Sequence, residues 1–260
     1  MKQTQDSFWI WGGATFALVI AAGAAVYFYR DRGTVETTPV AAAPEAPASE
    51  SAPRPVPVVP ATTQRAVPLP PLDESDTEVQ GALTELAGRD AVTQFLLPQR
   101  VIRNFVVTID NSAREKMALN QRPIKPTGGA FVVSGADETL AIAPANYSRY
   151  TPIVTAVNKV DAATLVGLYR GMQPLFQQAY EELGNPNKLF NTRLLEVIDE
   201  LLQTPDVQGP VRLVQPSVYY RYADPKLEAL TSGQKLLIRM GPENAAILKS
   251  KLRQIQAALS

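Results

Sequence analysis

Any chemistry this chain performs runs without imidazole or thiol, because its 260 residues include no histidine and no cysteine. That removes the general base of most hydrolase triads, the commonest metal ligand, the thiolate nucleophile and the disulfide together. What remains is a pair of carboxylates, a serine activated by a lysine, or a tyrosine set against an arginine. Asp110 with Asn111, Glu181 with Glu182 and Asp199 with Glu200 are adjacent in the sequence. Neighbours on a helix diverge, so none of these pairs converges on one bond without help from the fold. No phosphate-binding loop or dinucleotide fingerprint is present. An enzyme built on this chain is therefore expected to be a His- and Cys-free one, acting on a glycan or peptide through two carboxylates that tertiary structure brings together.

Recognition is the other chemistry these residue types support. Arg149, Tyr150, Tyr219, Arg221, Tyr222 and Arg239 form the candidate interaction surface, since Tyr and Arg are the side chains that most often anchor interfaces. Tyrosines in a strand otherwise pack one face and reach solvent with the hydroxyl. The acidic run Asp73, Glu74, Asp76 and Glu78 lacks the alternating ligands and glycine of a calcium loop, and it reads as the first turn of a helix instead. No metal site and no cofactor motif is expected. From residue 72 onward there are as many Lys and Arg as Asp and Glu, twenty of each, which disfavours nucleic acid as a partner. The leading expectation is a binding or scaffolding module with a protein partner whose identity the sequence does not give.

Residues 1–7 form a short tail. Phe8 to Tyr29 follow without a charge over twenty-two residues, which as a helix spans about 33 Å and matches the hydrocarbon core of a bilayer. Phe8, Trp9, Trp11, Tyr27, Phe28 and Tyr29 bracket this run as membrane-interface anchors. Gly13, Ala17, Ala21 and Ala25 recur at four-residue spacing and offer a smooth stripe for a homodimer of anchors. Ala22-Gly23-Ala24 resembles a signal-peptide cleavage site, but the apolar run is long for a signal peptide, and retention as a single-pass anchor is expected. Residues 30–71 are a Pro/Ala-rich linker, with ten prolines between Pro39 and Pro71. A segment with so little to bury is expected to be disordered or extended. The composition describes an exported domain on a spacer, so residues after the anchor are expected outside the cytoplasm.

Residues 72–260 are expected to form a mainly α fold, a single compact helical domain with a minor β-hairpin element, preceded by the transmembrane helix and linker. Ser75 with Glu78 reads as a capping box, opening a helix that ends at Gly88. Val101, Ile102, Phe105, Val106 and Ile109 mark a second helix from near Pro98 to about Lys116. Phe131-Val132-Val133 and Leu140-Ala141-Ile142 are expected to pair as a hairpin. A short helix carries Tyr150, Ile153, Val154 and Val157. Asp161 caps a longer one through Leu165, Tyr169, Met172, Phe176 and Tyr180, with Pro174 as a kink or break. Leu194 to Leu202 define the next helix, residues 211–222 are the best strand candidate, and Asp224-Pro225 opens a helix ending at Gly241. Pro242 starts the last, with Leu248, Leu252, Ile255 and Leu259 on its seam. Asp73 to Asp90 carry a net charge of −5 and Lys235 to Arg253 a net charge of +4, so the first and last helices are expected to pack together.

Several of these segments taken together resemble a bacterial family, the domain of unknown function 3014. They are Leu72-Asp73-Glu74-Ser75-Asp76, Ile109-Asp110-Asn111, Arg149-Tyr150, Pro174-Leu175 through Ala179-Tyr180 to Glu182-Leu183-Gly184, Tyr222-Ala223-Asp224-Pro225 and Arg239-Met240-Gly241. The resemblance covers most of the chain after the spacer. It implies an N-terminal anchor in bacteria and no assigned activity or catalytic residue; taken with the exported look of the anchor and spacer, the expected place is the inner membrane, with the folded domain in the periplasm.

Overall fold

Asp161, Asp224 and Thr231 each satisfy a backbone N–H in the first turn of a helix, accepting from Thr164, Lys226 and Gln234 respectively. Such caps divide the folded region into its elements. A computed structural model describes residues 69–114, 122–217 and 219–260. The anchor at 8–29, its Gly13, Ala17, Ala21 and Ala25 stripe, and the linker up to residue 68 lie outside the described residues. Among the described residues, no helix is long and apolar enough to cross a membrane.

The fold is mainly helical. A short 3-10 turn, Leu72–Glu74, leads into α1 (Asp76–Ala87), α2 (Arg89–Phe95) and α3 (Val101–Ser112). Two short strands, β1 (Val133–Ser134) and β2 (Ala141–Ile142), precede α4 (Thr151–Lys159), α5 (Ala162–Glu182) and α6 (Phe190–Leu202). Then come β3 (Leu213–Val214), β4 (Arg221–Tyr222), α7 (Pro225–Glu228), α8 (Ser232–Arg239) and α9 (Pro242–Leu259). The expected hairpin forms, with Val133 opposite Ile142, and a second pairs Leu213 with Tyr222. An antiparallel bridge between Ala141 and Arg212 joins the two, supported by Ile142 N–H to Val211 O at 3.0 Å and Leu213 N–H to Leu140 O at 2.8 Å. Backbone groups at the inner edges of both hairpins are thereby satisfied.

Several expectations need correction. Ser75 makes no capping box: its hydroxyl donates to Leu72 O at 2.7 Å. Asp76 instead accepts from the backbone N–H groups of Arg100 and Val101, at 2.7 and 2.8 Å, and so anchors the start of α3 from a different helix. Pro174 does not end α5, which runs through it. The single helix expected after Asp224 is two, because Thr231 and Gln234 form a capping box that starts α8 afresh. Nor do α1 and α9 find their main partners in each other. α1 packs on α2, α3 and α4, whereas α9 packs on α5, α4, α6 and α8, so α4 lies between the two ends of the domain.

Burial follows the helix faces. The main core gathers α1, α3, α4, α5, α6, α8 and α9 around a ring cluster. In it Phe105 meets Phe176 edge-on at 5.4 Å, and Phe176 stacks on Phe190 at 5.9 Å, both arrangements that aromatic quadrupoles favour. A smaller core, Ile142, Val211, Leu213, Tyr222 and Ile238, lies beneath the hairpins. Helix α8 belongs to both. Ser232 to Arg239 are all buried, polar residues included. Gly233 makes that possible, since a Cβ there would stand 2.7 Å from Leu201 Cδ2 and 3.1 Å from Ser112 Cβ.

Candidate functional site

The six residues expected to form an interaction surface do not share one. Tyr150, Tyr222 and Arg239 are buried. The Tyr222 hydroxyl donates to Lys235 O at 3.0 Å, and the Arg239 guanidinium carbon lies 5.7 Å from the Tyr222 ring centroid, a cation–π arrangement within the fold. Burial pushes the Tyr222 hydroxyl up to about 12, and burial likewise raises Tyr150. Arg149 donates to the Gly129 and Ala130 carbonyls, tying down the preceding loop. Tyr219 and Arg221 remain exposed. The Tyr and Arg residues that looked like interface anchors mostly hold the two cores together.

One spacing with chemical precedent was passed over. Ser232-Gly233-Gln234-Lys235 has the Ser-x-x-Lys form in which a lysine can activate a serine. Here the serine hydroxyl donates to Asn111 O at 3.0 Å, and the lysine ammonium lies 3.5 Å from a Glu228 oxygen. Both side chains are buried. They serve the fold of α8, and neither lines the two cavities found among the described residues.

The polar cavity lies elsewhere, where the C-terminal ends of α3 and α5 meet the start of α6. It has a volume of about 460 Å³ and is lined by Asp110, Arg114, Tyr180, Asn185, Lys188, Leu189, Thr192, Arg193 and Glu196. Local sequence explains its shape. Gln177 bridges the turn between α5 and α6, its amide oxygen accepting from Phe190 N and its amide nitrogen donating to Lys188 O, both at 2.9 Å. That fixes residues 183–189 as one wall. Asp110, on the last turn of α3, is the other, and its side chain is only 8% exposed.

Asp110 organises the charges. Arg114, four residues on, donates to Oδ2, and Arg193 donates from Nε to Oδ1 at 3.2 Å and from Nη2 to the Asp110 backbone oxygen at 3.1 Å. The same Arg193 reaches Glu196 Oε2 through Nη1 at 3.2 Å. A buried carboxylate held by two guanidiniums is well satisfied, and one guanidinium serving two carboxylates is fixed in orientation. Tyr180 completes the floor. Burial, and secondarily the Asp110 carboxylate, pushes its hydroxyl above the ordinary range, so it stays protonated.

Of these residues, sequence reasoning reached Asp110 as half of an adjacent pair and Tyr180 as a core position. Arg114, Asn185, Lys188, Thr192, Arg193 and Glu196 were missed. The signals available were the Asp110/Arg114 spacing of four and the Arg193/Glu196 spacing of three, which place each pair on one helix face. Nothing in the sequence says that the two faces meet. Among the described residues, no group of three or more acidic side chains is placed to hold a metal ion.

Compared with known proteins, the chain matches the model of one family, described as a protein of unknown function (DUF3014), over residues 101–256. The match runs from the start of α3 into the last turns of α9 and takes in every residue of the cavity. No curated protein and no solved structure matches the chain.

Proposed function

Since the chain belongs to the DUF3014 family, whose description assigns no activity, we propose from its own geometry that the folded region is a ligand-binding module tethered to a bacterial membrane. The observation that carries the binding reading is the Asp110 groove, a polar cavity whose charged walls are fixed by ion pairs before any ligand arrives. Fixed donors and acceptors lower the ordering cost of recognition. The tether is the uncharged run Phe8–Tyr29, and the Pro/Ala-rich linker gives the module reach from an inner membrane into the periplasm. A second reading has its own observation, because Asp110 and Glu196 both line the groove and two carboxylates are the acid and base of a glycosidase. Arg193 donates to both, which suits holding charge better than moving protons.

The tether and the groove are tested together in cells. Deleting residues 8–29 is expected to move the protein from the membrane to the soluble fraction, and full-length protein already in the soluble fraction refutes the anchor. A photo-crosslinking residue at Lys188 is expected to give a discrete adduct that the same residue at exposed Ile247 does not. Equal adducts at both positions, or none at Lys188, would refute the groove as the binding site.

A further inference from the structure

Tyr180 is 2% exposed, and among the described residues its hydroxyl has no hydrogen-bond partner although it lines the groove. The hydroxyl is not one of the buried atoms left without a partner, so it opens on the groove and is available to donate to what enters it. Among the described residues, three cations, Arg114, Lys188 and Arg193, stand around it against two carboxylates, Asp110 and Glu196, a net charge of +1. The two carboxylates already engage the arginines, and Lys188 has no ion-pair partner among the described residues. The first turn of α6, a helix of thirteen residues without a side-chain cap of its own, adds its positive end at the same place.

We infer that this groove receives the C-terminal carboxylate of an extended peptide, with Lys188 and the Tyr180 hydroxyl on the carboxylate and Leu189 against an apolar terminal side chain. The inference rests on the reading of the groove as a binding site and names what it binds. A net charge of +1 matches a carboxylate, whereas a phosphate dianion would meet Asp110 and Glu196 with its second charge. Sugars are usually held against an open ring face, and among the described residues the one aromatic side chain lining the cavity is the buried Tyr180. Leu189 is 65% exposed on the wall, where the last side chain of a peptide can cover it, and Asn185 and Thr192 offer amide and hydroxyl partners to its backbone. Capture of a terminal carboxylate by cations and backbone donors is an established mode of peptide recognition.

The test is fluorescence anisotropy on full-length protein in detergent, using labelled hexapeptides ending in Leu, Phe or Ala with either a free carboxylate or a C-terminal amide. At least one free acid should bind saturably and its amide about tenfold or more weakly. Lys188→Gln should weaken the acid several-fold without affecting the amide. Tyr180→Phe should weaken the acid while leaving the thermal midpoint of the fold in place, which separates ligand contact from packing. Acid and amide binding alike would overturn the inference, as would no binding by any free acid. If both forms bind alike and Leu189→Asp abolishes both, the groove remains a peptide site and only the carboxylate is lost. If no peptide binds and Lys188 gives no adduct in cells, the reading of the groove falls as well.

Discussion

Tyr169, whose ring centroid lies 5.3 Å from that of Phe176, carries a hydroxyl buried without a hydrogen-bond partner among the described residues. Burial drives its ionisation far above the ordinary tyrosine range, so the group contributes a desolvated dipole and no charge. Tyr169→Phe is therefore expected to hold stability constant or raise it by up to about 1 kcal/mol in urea unfolding, where a loss of that size would reveal a partner for the hydroxyl. Single residues also mark the limit of what the sequence discloses. Tyr169 and Met172 were legible as core because they repeat at helical spacing with Leu165 and Phe176. Arg239 and Tyr222 were not, because the identity of an amphipathic side chain says nothing about its depth. Only the fold puts one over the other.

Helix termini show the same division. Asp161 and Asp224 were readable as caps because each acts within its own first turn. Asp76 was not, because its carboxylate caps α3 across twenty-four residues, holding Arg100 in a left-handed conformation at φ 54. A non-glycine residue there is strained unless its surroundings fix it. Asp76→Ala should cost about 1–2 kcal/mol by chemical denaturation, and an effect below the error of the measurement would mean the α1–α3 contact needs no carboxylate. The Thr231-x-x-Gln234 box was present in the sequence as a start signal, but the continuing leucines on either side hid the break at Leu230. Helix α2 buries none of its residues, so it left no apolar period to find.

At the scale of the whole molecule, the charge asymmetry between the two ends is real, but it resolves locally. Lys249 is buried and donates at 2.6 Å both to Thr204 O and to Asp206. Lys251 is buried on Val160 O at 2.8 Å, and Arg103 of α3 pairs with Asp73 at 3.0 Å. Composition counted these charges correctly and could not assign their partners. The hydrogen bond from Lys249 holds Asp206 below the usual carboxylate range. A depressed folded value means this contribution is complete above the unfolded aspartate range, about pH 4, and is lost as pH falls through the folded value. The thermal midpoint of the wild type should thus fall more between about pH 5 and about pH 3 than that of Asp206→Asn, and parallel falls would rule out the contact as a source of acid sensitivity. The order of assembly is also set at this scale. Helix α8, buried on every side and shared by both cores, follows all but one of the other described elements in the chain. A nascent polypeptide emerging front-first therefore displays the ring faces of α3, α5 and α6 before the piece that unites them with the hairpins has been made. On the proposed reading, in which the leading end enters a membrane, that delay would keep the trailing part slack enough to be threaded until its final turns arrive.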